Sequence, residues 1–279
     1  MKNILVIFGG ADFEEQAARN FAQTMELATA TATLNGIPVH AGNAKFANGF
    51  KVDSGDLNKI TEVIIFENNQ AAAGVLPVIL NCDHHSPGDT GYGKSADEYW
   101  QASSLGQLMN FFSVAPNMEQ LMVAAGDHCL PAAYAGKCPG IDPVEFGDFR
   151  TGLRATFYSQ DSRNAHKADK ESLERIVQSA MEKIAQAPVL ESGVVDMRSS
   201  GYVDELPEAA IRMGKSYISE IDETDRAGNK TGNKKIVLGG HTTPDVAIDF
   251  IEWANAHENK VGDAYGDPMR GFAGVVLAP

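Results

Sequence analysis

Short apolar runs, separated by glycine-rich or polar segments, dominate the first half of the chain. They cover residues 4–8, 37–41, 63–66 and 78–80. Runs of this length, bounded by turn residues, are typical of strands buried in a parallel sheet. Between the first two runs, apolar residues at helical spacing predict a helix over residues 16–32. The pattern therefore predicts an α/β fold, a mostly parallel sheet flanked by helices.

The second half of the chain begins with a strongly periodic helix. Apolar residues follow helical spacing over residues 170–187, and Pro188 ends the pattern. Strands are predicted at 194–197, 236–238 and 275–277, and Thr243 with Pro244 predicts a helix start. We therefore expect a first α/β domain over residues 1–155, a linker helix region over 156–190 and a smaller α/β domain over 191–279.

Ligand-type side chains follow three of the predicted strands in the first half. Asp12 and Glu14 follow the first strand, and Glu67 follows the run at 63–66. The run at 78–80 leads to a cluster of one acid and two imidazoles, Asp83, His84 and His85. Because the carboxyl ends of parallel strands meet at one edge, these groups are expected to share a crevice. Carboxylate and imidazole are ligands for Mn, Mg, Fe or Zn.

Simpler interpretations stay open for each of these groups. Asp12 and Glu14 also suit the first turn of a helix, whose dipole favours acids. A further apolar run at 121–126 leads to Asp127 and His128. The imidazole of His128 is a candidate ligand, a general acid or a hydrogen-bonded core side chain. The isolated His40 is more often structural than a ligand.

The last third of the chain carries a candidate anion site. Gly239, Gly240 and His241 follow a predicted strand and precede the helix that starts near Pro244, and Arg270 lies before the last strand. Glycines and the N–H groups at a helix start bind anions. Ordinary turn glycines are the alternative interpretation.

Composition and charge narrow the classes of partner. The formal net charge is −14, which disfavours a long nucleic acid and leaves a small anionic substrate held through metal ions. Three cysteines without a C-x-x-C pair indicate reduced thiols. The apolar start, Ile4–Phe8, is too short for a signal peptide or a membrane span. These features predict a cytoplasmic protein without a membrane partner, and a homo-oligomer is compatible with them.

The order of these groups resembles the DHH phosphoesterase superfamily. Asp83-His84-His85 matches the motif that names the family, and Asp12-Phe13-Glu14 is similar to its D-x-D motif with the second acid lengthened. Glu67 and Asp127 stand where the family has a bridging and a last metal-binding Asp. The small-residue segment 102–104 resembles the family's following helix. The resemblance covers about residues 1–155, and one departure is Phe8, where the family usually has a histidine.

The resemblance implies a site for one or two divalent ions, Mn or Mg. One ion would be held by Glu14, His84, Asp127 and the bridging Glu67, and a second, more weakly, by Asp12 and Glu67. Asp83 is counted with these metal-site residues and would receive a hydrogen bond from an imidazole. The candidates for catalysis are His84, His85 and His128, of which His128 is unusual for the family. The candidates for substrate binding are His85, Gly239, Gly240, His241 and Arg270.

The function that the resemblance implies is hydrolysis of a small, nucleotide-like phosphodiester or phosphoanhydride. The altered ligands leave two alternatives. One is metal-dependent hydrolysis of a non-phosphate substrate such as an amide or cyclic amidine. The other is a non-catalytic relative that binds a nucleotide.

Overall fold

The computed structural model describes residues 3–10, 12–39, 43–159, 162–224 and 230–279, so His40 lies outside the described residues. The chain forms two compact units. The first comprises Met1–Cys129 and Lys137–Asp142, and the second comprises Leu130–Gly136 and Pro143–Pro279. This division differs from the predicted boundaries at residues 155 and 190.

The first unit is built on a six-stranded sheet. Its helices and strands are β1 (Ile4–Phe8), α1 (Phe13–Thr24), β2 (Ala28–Leu34), β3 (Ile37–Pro38), β4 (Gly49–Ser54), β5 (Glu62–Phe66), β6 (Val78–Cys82), α2 (Tyr99–Ala102), α3 (Ser104–Phe111) and α4 (Met118–His128). The strand order is β3-β2-β1-β5-β6, and β4 also pairs with β2. Strands β2, β1, β5 and β6 are parallel, whereas β3 and β4 run antiparallel to β2. The predicted α/β class with a mostly parallel sheet is confirmed.

The helix predicted over residues 16–32 is too long. Helix α1 ends at Thr24, Glu26 turns the chain with φ +53°, and Ala28–Leu34 is strand β2. In β2 alanine and threonine alternate, so the small alanines Ala30 and Ala32 are buried on one face. Threonine is β-branched and suits a pleated strand. Alternation of period two therefore overrides the helix propensity of the alanines.

The second unit carries a five-stranded sheet. Its elements are α5 (Leu130–Tyr134), α6 (Pro143–Tyr158), α7 (Lys170–Gln186), β7 (Val195–Asp196), α8 (Leu206–Arg212), β8 (Ser216–Thr224), β9 (Lys230–Gly240), α9 (Pro244–Ala256), β10 (Tyr265–Asp267) and β11 (Phe272–Leu277). The order is β10-β11-β9-β8-β7, antiparallel except for the parallel pair β7–β8.

Helix α7 was predicted as a linker, and it is a core helix of the second unit. Its buried face includes Val177, Ala180 and Ile184, which pack with Met197 and Tyr217. A helix that buries one face against its own sheet belongs to that domain. The long segment of the second unit therefore begins before α7, at Pro143, where α6 starts, and Leu130–Gly136 also belongs to this unit.

A buried ion network also organises the second unit. Glu208 is 2% exposed and accepts hydrogen bonds from Tyr134, Arg150 and Arg212, with Arg154 at 3.4 Å. Burial by itself raises the pKa of Glu208, but the charges of Arg150 and Arg154 lower it to about 2. The carboxylate is therefore charged over the ordinary pH range.

None of the described helices combines the length and apolar composition needed to cross a bilayer.

Candidate metal centre

The candidate site lies at the carboxyl ends of β1, β5 and β6. Strand β1 has β2 on one side and β5 on the other, and all three are parallel. The connection after β1 and the segment after β5 therefore leave the sheet in different directions and open a crevice between them. Asp12, Glu67 and His84 follow the three strands that border this crevice, as the sequence predicts.

The first turn of α1 points acids into the protein interior. Asp12 caps the helix, and its Oδ1 accepts a hydrogen bond from the backbone N–H of Glu15 at 2.8 Å. Glu14 is 0% exposed and Glu15 is 4% exposed. A helix dipole favours acids in this turn, but a purely local role requires no burial. Burial of both glutamates therefore favours a functional role over the simpler first-turn interpretation.

Glu67 has a backbone conformation that is rare for its residue type. It follows β5 with φ +53°, in the left-handed region, and its N–H donates to the carbonyl of Cys82. A Cβ atom on Gly9 would lie 2.3 Å from the carbonyl oxygen of Glu67, so only glycine fits there. Left-handed non-glycine residues cost free energy and concentrate at functional sites. Gly9 thus allows the chain to pack closely against Glu67.

Four side chains bring ligand atoms together in this crevice. One ligand atom each of Glu14, Glu67, His84 and Asp127 lies within 4.8 Å of all the others. His84 Nε2 is 3.0 Å from Asp127 Oδ2 and 3.8 Å from Glu67 Oε1. Glu14 Oε2 and Glu67 Oε1 are buried and accept no hydrogen bond from the described N–H or hydroxyl groups. These four residues are the set that the resemblance implied for one ion.

The electrostatics of the group are unfavourable without a positive charge. Burial, followed by the charge of Asp127, raises the pKa of Glu14 well above its ordinary value. Burial and the charge of Asp12 do the same for Glu67. Burial and Asp127 raise the pKa of Asp12 to about 6. Carboxylates crowded in a buried site repel one another and lose their contact with water. A divalent cation between them offsets both the repulsion and the cost of burial.

Asp127 and His128 reach the site from a helix. The apolar run at 121–126 precedes them as in the sequence prediction, but it belongs to α4, which a capping box of Asn117 and Gln120 opens. That N-x-x-Q signal predicts a helix start and was missed. His128 is 2% exposed, and its Nδ1 and Nε2 lie 3.3 Å from His84 Nδ1 and 3.1 Å from the carbonyl of Lys94. These contacts agree with the interpretation of His128 as a hydrogen-bonded core side chain, and its assignment to catalysis stays a prediction.

Asp83 and His85 form a second pair beside the four ligands. Asp83 Oδ1 accepts hydrogen bonds from the backbone N–H groups of His84 and His85 and contacts His85 Nδ1 at 2.8 Å. Burial alone raises the pKa of Asp83, but the hydrogen bonds from His85 bring it below its ordinary value. Asp83 thus orients the histidines, as expected, and does not belong to the four-ligand group. The His85 side chain is 46% exposed, whereas the His84 side chain is fully buried and belongs to the group that could hold a metal ion; the catalytic role predicted for His84 stays a prediction.

Some residues of the site carried no recognised signal in the sequence. Gln107 donates to the carbonyls of Asp83 and Ala102 and so ties the histidine segment to α3. The N–H of Leu105 donates to Glu14 Oε1. Gly91 packs so closely on Ala102 that a Cβ atom would lie 1.9 Å from its carbonyl oxygen. The glycine-rich stretch after the histidines was the one available signal.

Another group that the sequence reasoning missed is Arg19 with its neighbours Glu15 and Phe8. Arg19 donates to Glu15 Oε1 at 2.8 Å, and its guanidinium carbon lies 4.4 Å from the ring centroid of Phe8. Phe8 is fully buried and stands where the resemblance expects a histidine ligand. A fixed organic cation and an aromatic ring therefore border the site where a second imidazole was expected.

The candidate anion-binding residues lie in the second unit. Gly239 and Gly240 end β9, and Cβ atoms there would clash with Tyr217 and with the carbonyl of Lys215. The N–H of His241 donates to that same carbonyl. These contacts support close packing as the role of both glycines.

His241 and Arg270 occupy different surroundings within that unit. His241 lines a cavity of about 860 Å³ together with Tyr134, Lys170 and Arg212. Arg270 does not line this cavity; its guanidinium carbon lies 5.7 Å from the ring centroid of Phe272. The anion-cradle prediction for these two residues stays a prediction.

Comparisons with known proteins add no relative to this description. No protein-family model, curated protein or solved structure matches the chain.

Proposed function

We propose that the first unit is a divalent-cation-dependent hydrolase of small phosphodiesters or phosphoanhydrides, such as nucleotide derivatives. The observation that carries the proposal is the convergence of Glu14, Glu67, His84 and Asp127. Two of their buried carboxylate oxygens accept no hydrogen bond from described N–H or hydroxyl groups. Buried polar atoms in native proteins are nearly always satisfied, so such atoms favour an ion at the centre of the group.

The donor set fits Mn²⁺ better than Mg²⁺. Mg²⁺ prefers oxygen ligands, whereas an imidazole suits Mn²⁺, Fe²⁺ or Zn²⁺. Glu14, Glu67, Asp127 and His84 would hold the principal ion. A bound divalent ion supplies Lewis-acid polarisation of a phosphoryl oxygen and a lowered pKa for its bound water. With a net charge of −14, the chain needs such a local cation to attract an anionic substrate.

A second, weaker cation position is supported beside Gly10. A Cβ atom there would lie 3.4 to 3.6 Å from one carboxylate oxygen each of Asp12, Glu15 and Glu67. Because Arg19 already pairs with Glu15 and Phe8 offers no ligand atom, we expect this position to bind a cation less tightly.

The exposed His85 is the candidate for contact with substrate. A carboxylate only accepts hydrogen bonds, so His85 Nδ1 donates to Asp83. The other ring nitrogen, Nε2, is then the one that can face a bound phosphoryl group. When protonated, the ring donates to a leaving oxygen, and Asp83 stabilises its positive charge. Asp83 and His85 thus act as an oriented acid beside the cation site.

The test measures cation binding and turnover separately. Calorimetry with Mn²⁺ is followed by assays of phosphate or nitrophenol release from pyrophosphate, dinucleotides and bis(p-nitrophenyl) phosphate. Glu67→Gln is expected to weaken Mn²⁺ binding at least about 100-fold. His85→Gln is expected to leave binding unchanged and to lower kcat by about 10²- to 10⁴-fold.

The matched control is Glu98→Gln, because Glu98 is an exposed carboxylate that pairs with Lys94 on the surface. It is expected to change neither property. Absence of Mn²⁺ binding overturns the whole proposal. Tight Mn²⁺ binding without hydrolysis of any phosphate substrate overturns the proposed reaction. The cation site would then serve hydrolysis of a non-phosphate substrate or nucleotide binding without catalysis.

A further inference from the structure

Two buried imidazoles and a backbone carbonyl form a continuous line at the edge of the metal centre. His128 Nε2 lies 3.1 Å from the carbonyl oxygen of Lys94. On its other side, His128 Nδ1 lies 3.3 Å from His84 Nδ1, and the centroids of the two rings are 5.3 Å apart. His84 is 0% exposed and His128 is 2% exposed. The line ends at His84 Nε2, which is the nitrogen facing the carboxylates.

The chemistry of the carbonyl decides where the protons on this line sit. A carbonyl oxygen only accepts hydrogen bonds, so His128 Nε2 must carry a proton and donate it. A neutral imidazole has one N–H, which leaves His128 Nδ1 as an acceptor. A hydrogen bond between two ring nitrogens needs a proton on one of them, so His84 Nδ1 must be the donor. The neutral form of His84 then has its lone pair on Nε2.

That lone pair faces the atoms that would otherwise repel it. Nε2 is 3.0 Å from Asp127 Oδ2 and 3.8 Å from Glu67 Oε1. Acceptor atoms at this separation are stabilised by a cation shared between them. The reverse arrangement needs a positively charged His128 at 2% exposure, and burying such a charge is costly.

We propose that His128 is a positioning residue of the metal centre. Its hydrogen bond to the Lys94 carbonyl fixes its own tautomer, and its Nδ1 in turn fixes the tautomer of His84, so that His84 Nε2 presents its lone pair to the cation. This inference rests on the proposed cation site but not on the hydrolysis. Metal-binding histidines usually donate their other N–H to a carboxylate or a carbonyl. Here the acceptor is a neutral imidazole.

A neutral partner has a physical advantage in this site. Glu14, Glu67 and Asp127 already bring three carboxylates to the centre. A fourth carboxylate behind His84 would add repulsion inside a buried group, whereas the imidazole–carbonyl pair adds no net charge. His128 thus fixes the ligand without raising the charge that the cation must balance.

The test compares two substitutions that differ in the acceptor they leave. His128→Asn places an amide oxygen near the position of Nδ1, which can still accept from His84. His128→Leu has similar bulk and no acceptor. Calorimetry with Mn²⁺ is expected to show affinity within about 3-fold of the parent chain for Asn and about 10- to 100-fold weaker binding for Leu.

A spectroscopic readout separates the tautomer from a general effect on folding. Nitrogen-15 NMR of histidine-labelled protein is expected to show His84 with its proton on Nδ1, both metal-free and with diamagnetic Zn²⁺. The two histidine variants and His84→Gln assign the signals. A proton on Nε2 alone in the parent chain, or equal cation affinity in His128→Leu and the parent, overturns the proposal.

The two proposals fail differently. If the Leu variant does not fold, the tautomer in the parent chain still decides the relay. If no cation binds the parent chain, the proposed function fails, while the metal-free spectrum still tests the proton position on His84. Retained cation binding with no hydrolysis leaves the relay intact.

Discussion

Replacing Glu15 with glutamine should stabilise the metal-free protein at neutral and alkaline pH. The Glu15 side chain is 5% exposed, and the burial of its carboxylate is offset only in part by Arg19 and by the backbone N–H of Gly10. Arg19 pairs with Oε1 but also contacts Asp53 at 2.9 Å and Thr31 at 3.1 Å. Glutamine has nearly the same shape and removes only the charge. Arg19 therefore keeps a carboxylate partner in the variant.

The magnitude follows from the pKa of the buried carboxyl group. Burial raises the pKa of Glu15 from 4.5 to about 7, against the opposing effect of Arg19. Between these two values the folded state binds more protons than the unfolded state, so the stability falls as pH rises. Above pH 7 the full cost, about 3 kcal/mol, is present, because one pKa unit corresponds to about 1.4 kcal/mol. Glu15→Gln should recover up to about 3 kcal/mol there.

The assay is urea unfolding in the presence of a chelator at two pH values. One is about pH 8, and the other is about pH 4.5, near the ordinary pKa of glutamate. The variant should be more stable than the parent chain at the higher pH and nearly equal to it at the lower pH. Glu98→Gln, which changes an exposed carboxylate, should have the same stability as the parent chain at both pH values, within the error of the measurement. If Glu15→Gln destabilises the protein equally at the two pH values, burial does not govern the Glu15 carboxylate and the reasoning fails.

Three further outcomes follow from the structure. Gly9→Ala should cost about 3 kcal/mol in urea unfolding, because its Cβ would lie 2.3 Å from the Glu67 carbonyl oxygen; an unchanged midpoint refutes this. The stability of the second unit should fall by about 3 kcal/mol in acid titration from pH 4.5 to 2, because the folded pKa of Glu208 is about 2; Glu208→Gln should lose most of that dependence, and an identical titration contradicts it. Oxidised glutathione should join Cys129 and Cys138, whose Sγ atoms are 3.0 Å apart, releasing two reduced glutathione molecules; peptide mapping that finds both thiols free contradicts it.

Continuous apolar runs and strong helix signals were sufficient to predict several elements. Strands β1 and β5 and helix α7 lie within one residue of their predicted bounds, and α9 starts at the predicted Pro244. A short apolar run bounded by turn residues has few stable alternatives to a buried strand, because exposing it is costly. Pro244 at the start of α9 and Pro188 after α7 restrict the backbone wherever they stand.

Segments with ambiguous periodicity were predicted less well. Alanine favours a helix by itself, so the predicted helix over residues 16–32 includes most of strand β2, although the threonines of that strand alternate with its alanines. The apolar run before Asp127 gave no clear period, and its helical nature depends on packing of Val123, Ala124 and Ala125. Tertiary burial decides such segments, because their local preferences differ by less than the free energy of packing.

The sequence alone determined which residue types follow the apolar runs, and the order of these residues led to Glu14, Glu67, His84 and Asp127 as the candidate group. The α/β class was also predictable from the sequence. The fold class and the candidate residues both follow from local patterns of apolar and polar positions. Only the tertiary structure decided the division into units, the left-handed backbone of Glu67 and the line from Lys94 through His128 to His84. These features depend on distances between residues far apart along the chain. A local pattern specifies which face of an element is buried, but the direction of a side chain beyond the end of a strand depends on what packs against it.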